Sequence, residues 1–157
     1  MITYQTEPLA TCQHEINQLL FAHYDEIALD QDTIPLDPDW QAYQSLEAQG
    51  KLHITTCRKD GVIIGYYVAR VDTSPHYKST LHGFVDVYFI LAEYRFGKVG
   101  LSLFIEAEKA LKHRGVVKLS SGTKIHDSNR TGKSLDASRL FKFLGWREIE
   151  RLYSKIL

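Results

Sequence analysis

Asp86-Val87-Tyr88-Phe89-Ile90-Leu91-Ala92-Glu93-Tyr94-Arg95-Phe96-Gly97-Lys98-Val99-Gly100 is the stretch on which the fold turns. Its first half belongs to a strand running from about Leu81 to Leu91, rich in β-branched and aromatic residues. The strand runs into a turn containing Gly97, and the turn opens a helix from Lys98 to Arg114. A helix start leaves backbone N–H groups unpaired and carries partial positive charge, so it suits an anion such as a pyrophosphate. Gly97 and Gly100 let an anion approach the backbone with no Cβ in the way. Arg95 and Lys98 stand where a cation opposes the helix dipole by ~0.3–1 kcal/mol each, a placement that makes sense when an anion lies between them. A bare GxxG also fits a tight turn with solvated charges.

Outward from this segment the chain reads as a single domain, residues 1–157, in the order β-α-α-β-β-β-α-β-α-β. Upstream, Ile2 to Thr6 forms a strand, and a helix opens at Pro8 with Ile16, Leu19, Leu20, His23, Tyr24 and Ile27 on one face. Asp30 to Pro35 is a loop. A second helix follows, with Asp37 as cap, Pro38 in its first turn and Gly50 at its end. Strands Leu52 to Arg58 and Val62 to Val71 are joined by Lys59-Asp60-Gly61, whose Asp-Gly pair marks a hairpin. Asp72 to Lys78 reads as a loop. Downstream, Val116 to Ser120 is a strand, Ser134 to Leu144 a helix closed by Gly145, and Arg147 to Leu157 a final strand. A mixed α/β sheet with helices on its faces is expected.

Composition excludes several classes. The chain has 157 residues, 44% hydrophobic and 24% charged, as a globular domain has. No apolar stretch approaches the ~20 residues of a membrane span. Met1 to Pro8 has no basic segment before an apolar core, so no secretory signal is expected. Cys12 and Cys57 are too few for a disulfide framework or a metal knuckle, and a reduced cytoplasmic setting follows. Nineteen bases balance nineteen acids, which argues against general nucleic-acid binding. Yet Met1 to Gly50 holds nine acids and no Lys or Arg, while all nineteen bases lie from Lys51 onward. Either the two parts pair across one surface, or the first part forms an acidic wall.

Arg95 to Gly100 resembles the acyl-CoA signature of the GNAT superfamily, in which Gln or Arg, two residues, Gly, one residue, and Gly or Ala follow a central strand. Here Lys98 stands at the usual middle glycine, with Gly97 one place earlier. Ser134-Leu-Asp-Ala-Ser-Arg-Leu-Phe-Lys-Phe-Leu-Gly-Trp146 looks like the family's fourth helix and its end. The resemblance implies a GNAT-like, mostly antiparallel sheet of about six strands flanked by four helices. It implies acetyl-CoA as co-substrate, no metal, and transfer of the acetyl group to a primary amine by direct attack in a ternary complex. The backbone of Phe89 and Ile90 would bind the pantetheine arm and thioester. Amides of Phe96, Gly97, Lys98, Val99, Gly100 and Leu101, beside Arg95, would cradle the pyrophosphate. Ser134 takes the place of an Asn that contacts the cofactor, and Phe141 that of a Tyr that protonates the departing thiolate. Phe141 has no proton to give.

An attacking amine must be neutral, and an unperturbed lysine amine has a pKa of about 10.4, so a base helps. Read by strict alternation, Val85, Val87, Phe89 and Leu91 form a core face, while His82, Phe84, Asp86 and Tyr88 share the other. Asp86 is then either a structural hydrogen-bond acceptor or the base. His82 lies farther from the strand's end, and His126 sits in a polar loop. Tyr88 and Tyr153 are the candidate acids. Gly132-Lys133-Ser134 invites a phosphate-loop reading, but Asp127 stands where that motif needs glycine, although Arg130 and Lys133 could still reach phosphates.

The family's first two helices wall the acceptor side, which here is the stretch Pro8 to Gly50 with Asp25, Glu26, Asp30, Asp32, Asp37 and Asp39. A cationic acceptor is expected: a polyamine, an aminoglycoside-like molecule, or a protein lysine or N-terminus. No nucleic acid or membrane partner is expected. A free sheet edge near the C-terminus would favour a homodimer. The alternative is a GNAT-shaped protein that binds coenzyme A, or regulates, without chemistry.

Overall fold

The Asp-Gly hairpin forms as the sequence predicts. Asp60 and Gly61 take φ of 50° and 89°, the left-handed pair that a tight hairpin requires. It joins β2 (Leu52–Lys59) to β3 (Val62–Ser74). The computed structural model describes residues 1–157, beginning with β1 (Ile2–Thr6), α1 (Leu9–Ile27) and α2 (Trp40–Ala48). After β3 come β4 (Tyr77–Ile90), a 3₁₀ turn (Ala92–Tyr94), α3 (Val99–His113), β5 (Val116–Ser120) and α4 (Ser138–Phe143). The sheet has five strands in the order β1-β2-β3-β4-β5. Every pairing is antiparallel except β4 with β5. No helix is long and apolar enough to cross a membrane.

Helices cover both faces, so β2 and β3 are buried over long unbroken runs rather than at alternate residues. On one face α3, through Leu103 and Ala107, and α4 pack over Tyr67, Ala69 and Val85. On the other, α1 and α2 pack over Ile54, Tyr66, Val68 and Phe89. Leu9 N–H, at the uncapped start of α1, donates to Glu47 Oε1 of α2 at 2.6 Å, which fixes the two helices to each other.

Four expectations are corrected. The loop expected from Asp72 to Lys78 is a hairpin, because Thr73, Tyr77 and Thr80 suit an exposed ladder that turns at Pro75-His76. Asp39, not Asp37, caps α2, accepting from Ala42 N–H at 2.9 Å. The fourth helix starts at Ser138 rather than Ser134. Asp136 Oδ1 captures Ser138 N–H at 2.9 Å, and Ser134 bridges to Asp127 instead. The final strand, Arg147 to Leu157, does not form, so five strands replace the expected six. Its apolar residues Ile149, Leu152, Tyr153, Ile156 and Leu157 fall three and four apart, so neither face of a strand would be apolar. Leu152 stays 94% exposed.

Four of the nine acids of the N-terminal part, Glu7, Glu15, Asp25 and Glu26, pair with bases of the same domain. Arg58 on β2 grips Glu7 through Nε and Nη2 at 2.7 and 2.9 Å, and Glu15 of α1 through Nη1 at 2.8 Å. Burial works against the Glu7 carboxylate, but the hydrogen bonds from Arg58 and Thr56 hold its pKa at about 2 against an ordinary 4.5. A depressed carboxylate pKa contributes stability that is full above the unfolded value and lost as pH falls through the folded one. Chemical denaturation of Glu7→Gln is therefore expected to show a loss of about 2 kcal/mol at neutral pH. The gap to wild type should close as pH falls from about 4.5 towards 2, where the wild-type carboxylate also protonates. A gap independent of pH would remove this role from Glu7.

Candidate active site

Strand β4 carries one residue more than its partner. Val68 pairs with Val87 and Ala69 with Val85, so Asp86 between them is a bulge with no partner of its own. The bulge breaks the alternation. Val85 packs on the α3 face, whereas Val87 and Phe89 pack on the face covered by α1 and α2. Asp86 and Val87 line the same cleft there, about 630 Å³ between the helices and the sheet. The expectation that Val85, Val87 and Phe89 share one face, and Asp86 and Tyr88 the other, is thus corrected. Tyr43 of α2, which shares the apolar side of that helix with Trp40 and Leu46, donates its hydroxyl to Asp86 Oδ2 at 2.7 Å. Burial first, and then the adjacent carboxylate, push the Tyr43 phenol well above its ordinary pKa, so it remains a donor. Arg70 lines the cleft beside them, its guanidinium over the Phe84 ring at 5.4 Å.

Tyr88 points to the opposite face. Its ring meets Phe104 and Phe141 edge-on at 5.1 and 6.0 Å, and its hydroxyl donates to the Gly122 carbonyl at 3.1 Å. Burial raises its pKa. Phe141 lies between Phe104 and Trp146 inside this aromatic cluster. Ser134 Oγ accepts from Asp136 N–H at 3.2 Å. The structure does not bring Tyr153 to the site: it is 87% exposed on the segment after α4. His82 hydrogen-bonds Thr80, and His126 faces the Ile27 carbonyl.

Between Asp86 and Tyr88 runs a free strand edge. Strand β5 pairs with β4 only from Leu81 to Phe84, so Val85 to Ile90 present an unpaired edge on that side. The edge leads into the turn before α3, where Gly97 takes φ of 58°. The N–H groups of Gly97, Lys98, Gly100 and Leu101 find no acceptor in the protein, and no side chain caps the helix. A Cβ at Gly100 would meet only the Ile90 side chain, at an ordinary 3.8 Å. The fold itself therefore does not require glycine there, and in a helix glycine costs about 1 kcal/mol relative to alanine. Uncapped donors, a helix N-terminus and a dispensable glycine fit a phosphate group. No group of three or more His, Cys, Asp or Glu residues is placed to hold a metal ion.

Arg95 is not free for such a phosphate. Its guanidinium pairs with Glu26 through two hydrogen bonds of 2.7 and 2.6 Å, and its Nε donates to the Ile90 carbonyl at 2.6 Å. The Arg95 hydrogen bonds hold the Glu26 carboxyl below its usual range against the cost of burial. His23, one turn earlier on α1, stacks on Phe89 at 4.6 Å and hydrogen-bonds Tyr66 at 2.7 Å. Glu26 is thus a buried anchor rather than part of an acidic wall. The only signal for it in the sequence is its spacing of three from His23 on the apolar side of α1. Asp25 pairs with Arg130 at 3.7 Å. Of the expected wall, Asp37 and Asp39 line the cleft, whereas Asp30 and Asp32 do not.

The sequence pattern of the acetyltransferase (GNAT) family matches residues 14–132. No curated protein matches the chain. Among solved structures, an aminoglycoside acetyltransferase from an uncultured soil metagenomic sample is similar at 14% identity and a TM-score of 0.72, over 100% of this chain and 98% of that one. A ribosomal-protein-alanine N-acetyltransferase from Brucella melitensis biovar Abortus 2308 is similar at 15% identity and a TM-score of 0.69, covering 99% and 98%. The aminoglycoside N-acetyltransferase AAC(6')-Iy, in complex with a CoA-linked bisubstrate analogue of acetylneamine, is similar at 19% identity and a TM-score of 0.66, covering 100% and 99%.

Coenzyme A at 100 times its Kd is expected to stabilise the wild-type protein by about 2.7 kcal/mol in a thermal melt. Gly100→Leu should melt no lower than wild type without ligand and lose that shift. A shift that survives in Gly100→Leu would place the anion elsewhere.

Proposed function

The chain belongs to the acetyltransferase (GNAT) family, and from that premise we propose that it transfers an acetyl group from acetyl-CoA to a primary amine. The observation that carries this reading is the free β4 edge running into the uncapped start of α3. The edge around Phe89 and Ile90 would hold the amide-bearing pantetheine arm, although Arg95 already occupies the Ile90 carbonyl. The N–H groups of Gly97, Lys98, Gly100 and Leu101 would hold the pyrophosphate, with Lys98 supplying positive charge, whereas the Val99 N–H expected to join them donates to the Phe96 carbonyl at 3.4 Å.

Acetyl-CoA supplies a thioester whose carbonyl carbon the amine attacks. Asp86 stands on the acceptor side of the edge and takes the proton that the amine gives up. Tyr43 holds Oδ2, which orients the carboxylate and leaves Oδ1 without a protein donor. Tyr88 stands on the opposite side, beside the Phe141 that cannot donate, and returns a proton to the departing thiolate. The amine forms an amide as the carbon–sulfur bond breaks. An acceptor that arrives as an ammonium first gives one proton to Asp86, which passes it to solvent, and attacks as the neutral amine. The second proton leaves as the amide forms and is matched by the one Tyr88 gives to the thiolate.

The acceptor is a cationic amine, small or protein-borne, attracted by Asp37, Asp39 and Asp86 around the cleft. The setting is cytoplasmic, in keeping with two buried, unbridged cysteines. Two copies would pair through the free outer edge of β5, and a monomer by light scattering at micromolar concentration would end that idea. A second reading, a coenzyme A-binding or regulatory protein without chemistry, is favoured by Phe141 and by Lys98 in place of the usual glycine.

Release of free thiol from acetyl-CoA in the presence of an amine panel tests the proposal. Asp86→Asn is expected to lower kcat by ~10²–10⁴ with acetyl-CoA affinity nearly intact. Tyr88→Phe should also lower kcat, at unchanged affinity. Full activity in Asp86→Asn, with the same pH dependence, would take the base away from Asp86.

A further inference from the structure

We propose that the acceptor is a primary monoamine on an apolar body, an alkyl- or arylalkylamine that lies along the cleft with its nitrogen at Asp86. This rests on the acetyl-transfer reading and narrows it. Thirteen of the nineteen residues lining the cleft are hydrophobic. Its charged groups are Asp37, Asp39, Arg70 and Asp86, and the hydroxyl of Tyr24, which also lines it, is spent on the Ile34 carbonyl at 2.6 Å. Asp37 and Asp39 stand exposed at the rim, while Asp86, Tyr43 and Arg70 meet at the sheet. Between them Leu20, Leu36, Trp40, Leu46, Val68 and Val87 offer no hydrogen-bonding partner beyond the Trp40 indole. That N–H is already spent on Asn17 Oδ1 at 3.2 Å.

This lining selects by what it cannot satisfy. A polyhydroxylated ring or a second ammonium placed along the wall would leave donors unpaired, each at a cost of roughly ten- to a hundredfold in affinity. An alkyl chain or aromatic ring gains from the same wall. At the sheet end one carboxylate oxygen is left for one ammonium, because Tyr43 holds the other. The rim carboxylates raise the local concentration of any cation, and the apolar wall then sorts the cations by body.

The test compares ethylamine, butylamine, hexylamine and phenethylamine with spermidine and kanamycin. It uses calorimetric binding to the coenzyme A-loaded protein and thiol release from acetyl-CoA. Affinity and kcat/KM are expected to rise about fourfold per added methylene until the cleft is full. Leu36→Gln should flatten that rise without changing KM for acetyl-CoA. Spermidine or kanamycin outperforming hexylamine, or no dependence on chain length, overturns the monoamine class while acetyl transfer stands. Affinity that climbs with chain length but releases no thiol keeps the class and defeats the acetyl-transfer reading. Loss of both signals defeats both.

Discussion

Inserting Asp86 opposite Val68 and Ala69 shifts the register of β4 by one residue, and most of the site follows from that shift. In a strand buried on both faces, a one-residue slip exchanges every side chain between them. Before the bulge, Val85 belongs to the α3 side. After it, Val87 and Phe89 belong to the α1–α2 side, and Tyr88 and Ile90 to the α3 side. A strand without the bulge would set Asp86 and Tyr88 on one face. With it, a carboxylate and a phenol flank the same free edge from opposite sides, as a reaction needing one proton removed and another supplied requires.

The second constraint is the Glu26–Arg95 pair. A buried ion pair is weak evidence for stability, since desolvation offsets much of its attraction. Its geometry is informative nonetheless. Arg95 ties the end of β4, through the Ile90 carbonyl, to the last turn of α1, and its guanidinium lies over Phe89 at 5.1 Å. Asn129 N–H donates to the Glu26 carbonyl at 2.9 Å, so the connection between β5 and α4 is held to the same point. The turn that precedes α3 is therefore fixed from three directions. The N–H groups proposed to hold the pyrophosphate are set by the fold, and Arg95, paired with Glu26 and the Ile90 carbonyl, contributes rigidity.

The parts of this fold legible in the sequence are those with local causes. Asp60-Gly61 needed only its own φ preferences to make a hairpin. Gly50, Gly115 and Gly145 follow the ends of α2, α3 and α4 at φ of 70°, 90° and 84°. The strand–turn–helix from Asp86 to Gly100 was legible for the same reason. What was hidden depends on distant partners. Nothing near Asp86 announces a bulge, because its cause is the pairing with β3. Nothing near Arg95 announces Glu26, which is 69 residues away. Tyr43 reads as an apolar helix residue until α2 is laid over β4. The Arg147 to Leu157 segment reads as a strand only from its place after a helix closed by Gly145, while its apolar spacing of three and four does not serve a strand.

Charge asymmetry along the chain has two physical explanations, and the structure divides the acids between them. Glu7, Glu15, Asp25 and Glu26 pair with Arg58, Arg130 and Arg95, so these acids hold the acidic first part of the chain to the basic remainder. They are neutralised and exert little field on an incoming amine. Asp37 and Asp39 have no basic partner and stand at the cleft, and Asp86 faces it from the sheet. A charge left unpaired beside an apolar wall acts over a longer range than one in a pair, since neither a counter-ion nor full hydration cancels it. Under the proposed function these three carboxylates are the ones left to draw a cation to the cleft. With so few, and with apolar side chains between them, charge can decide which molecules arrive but not which one fits.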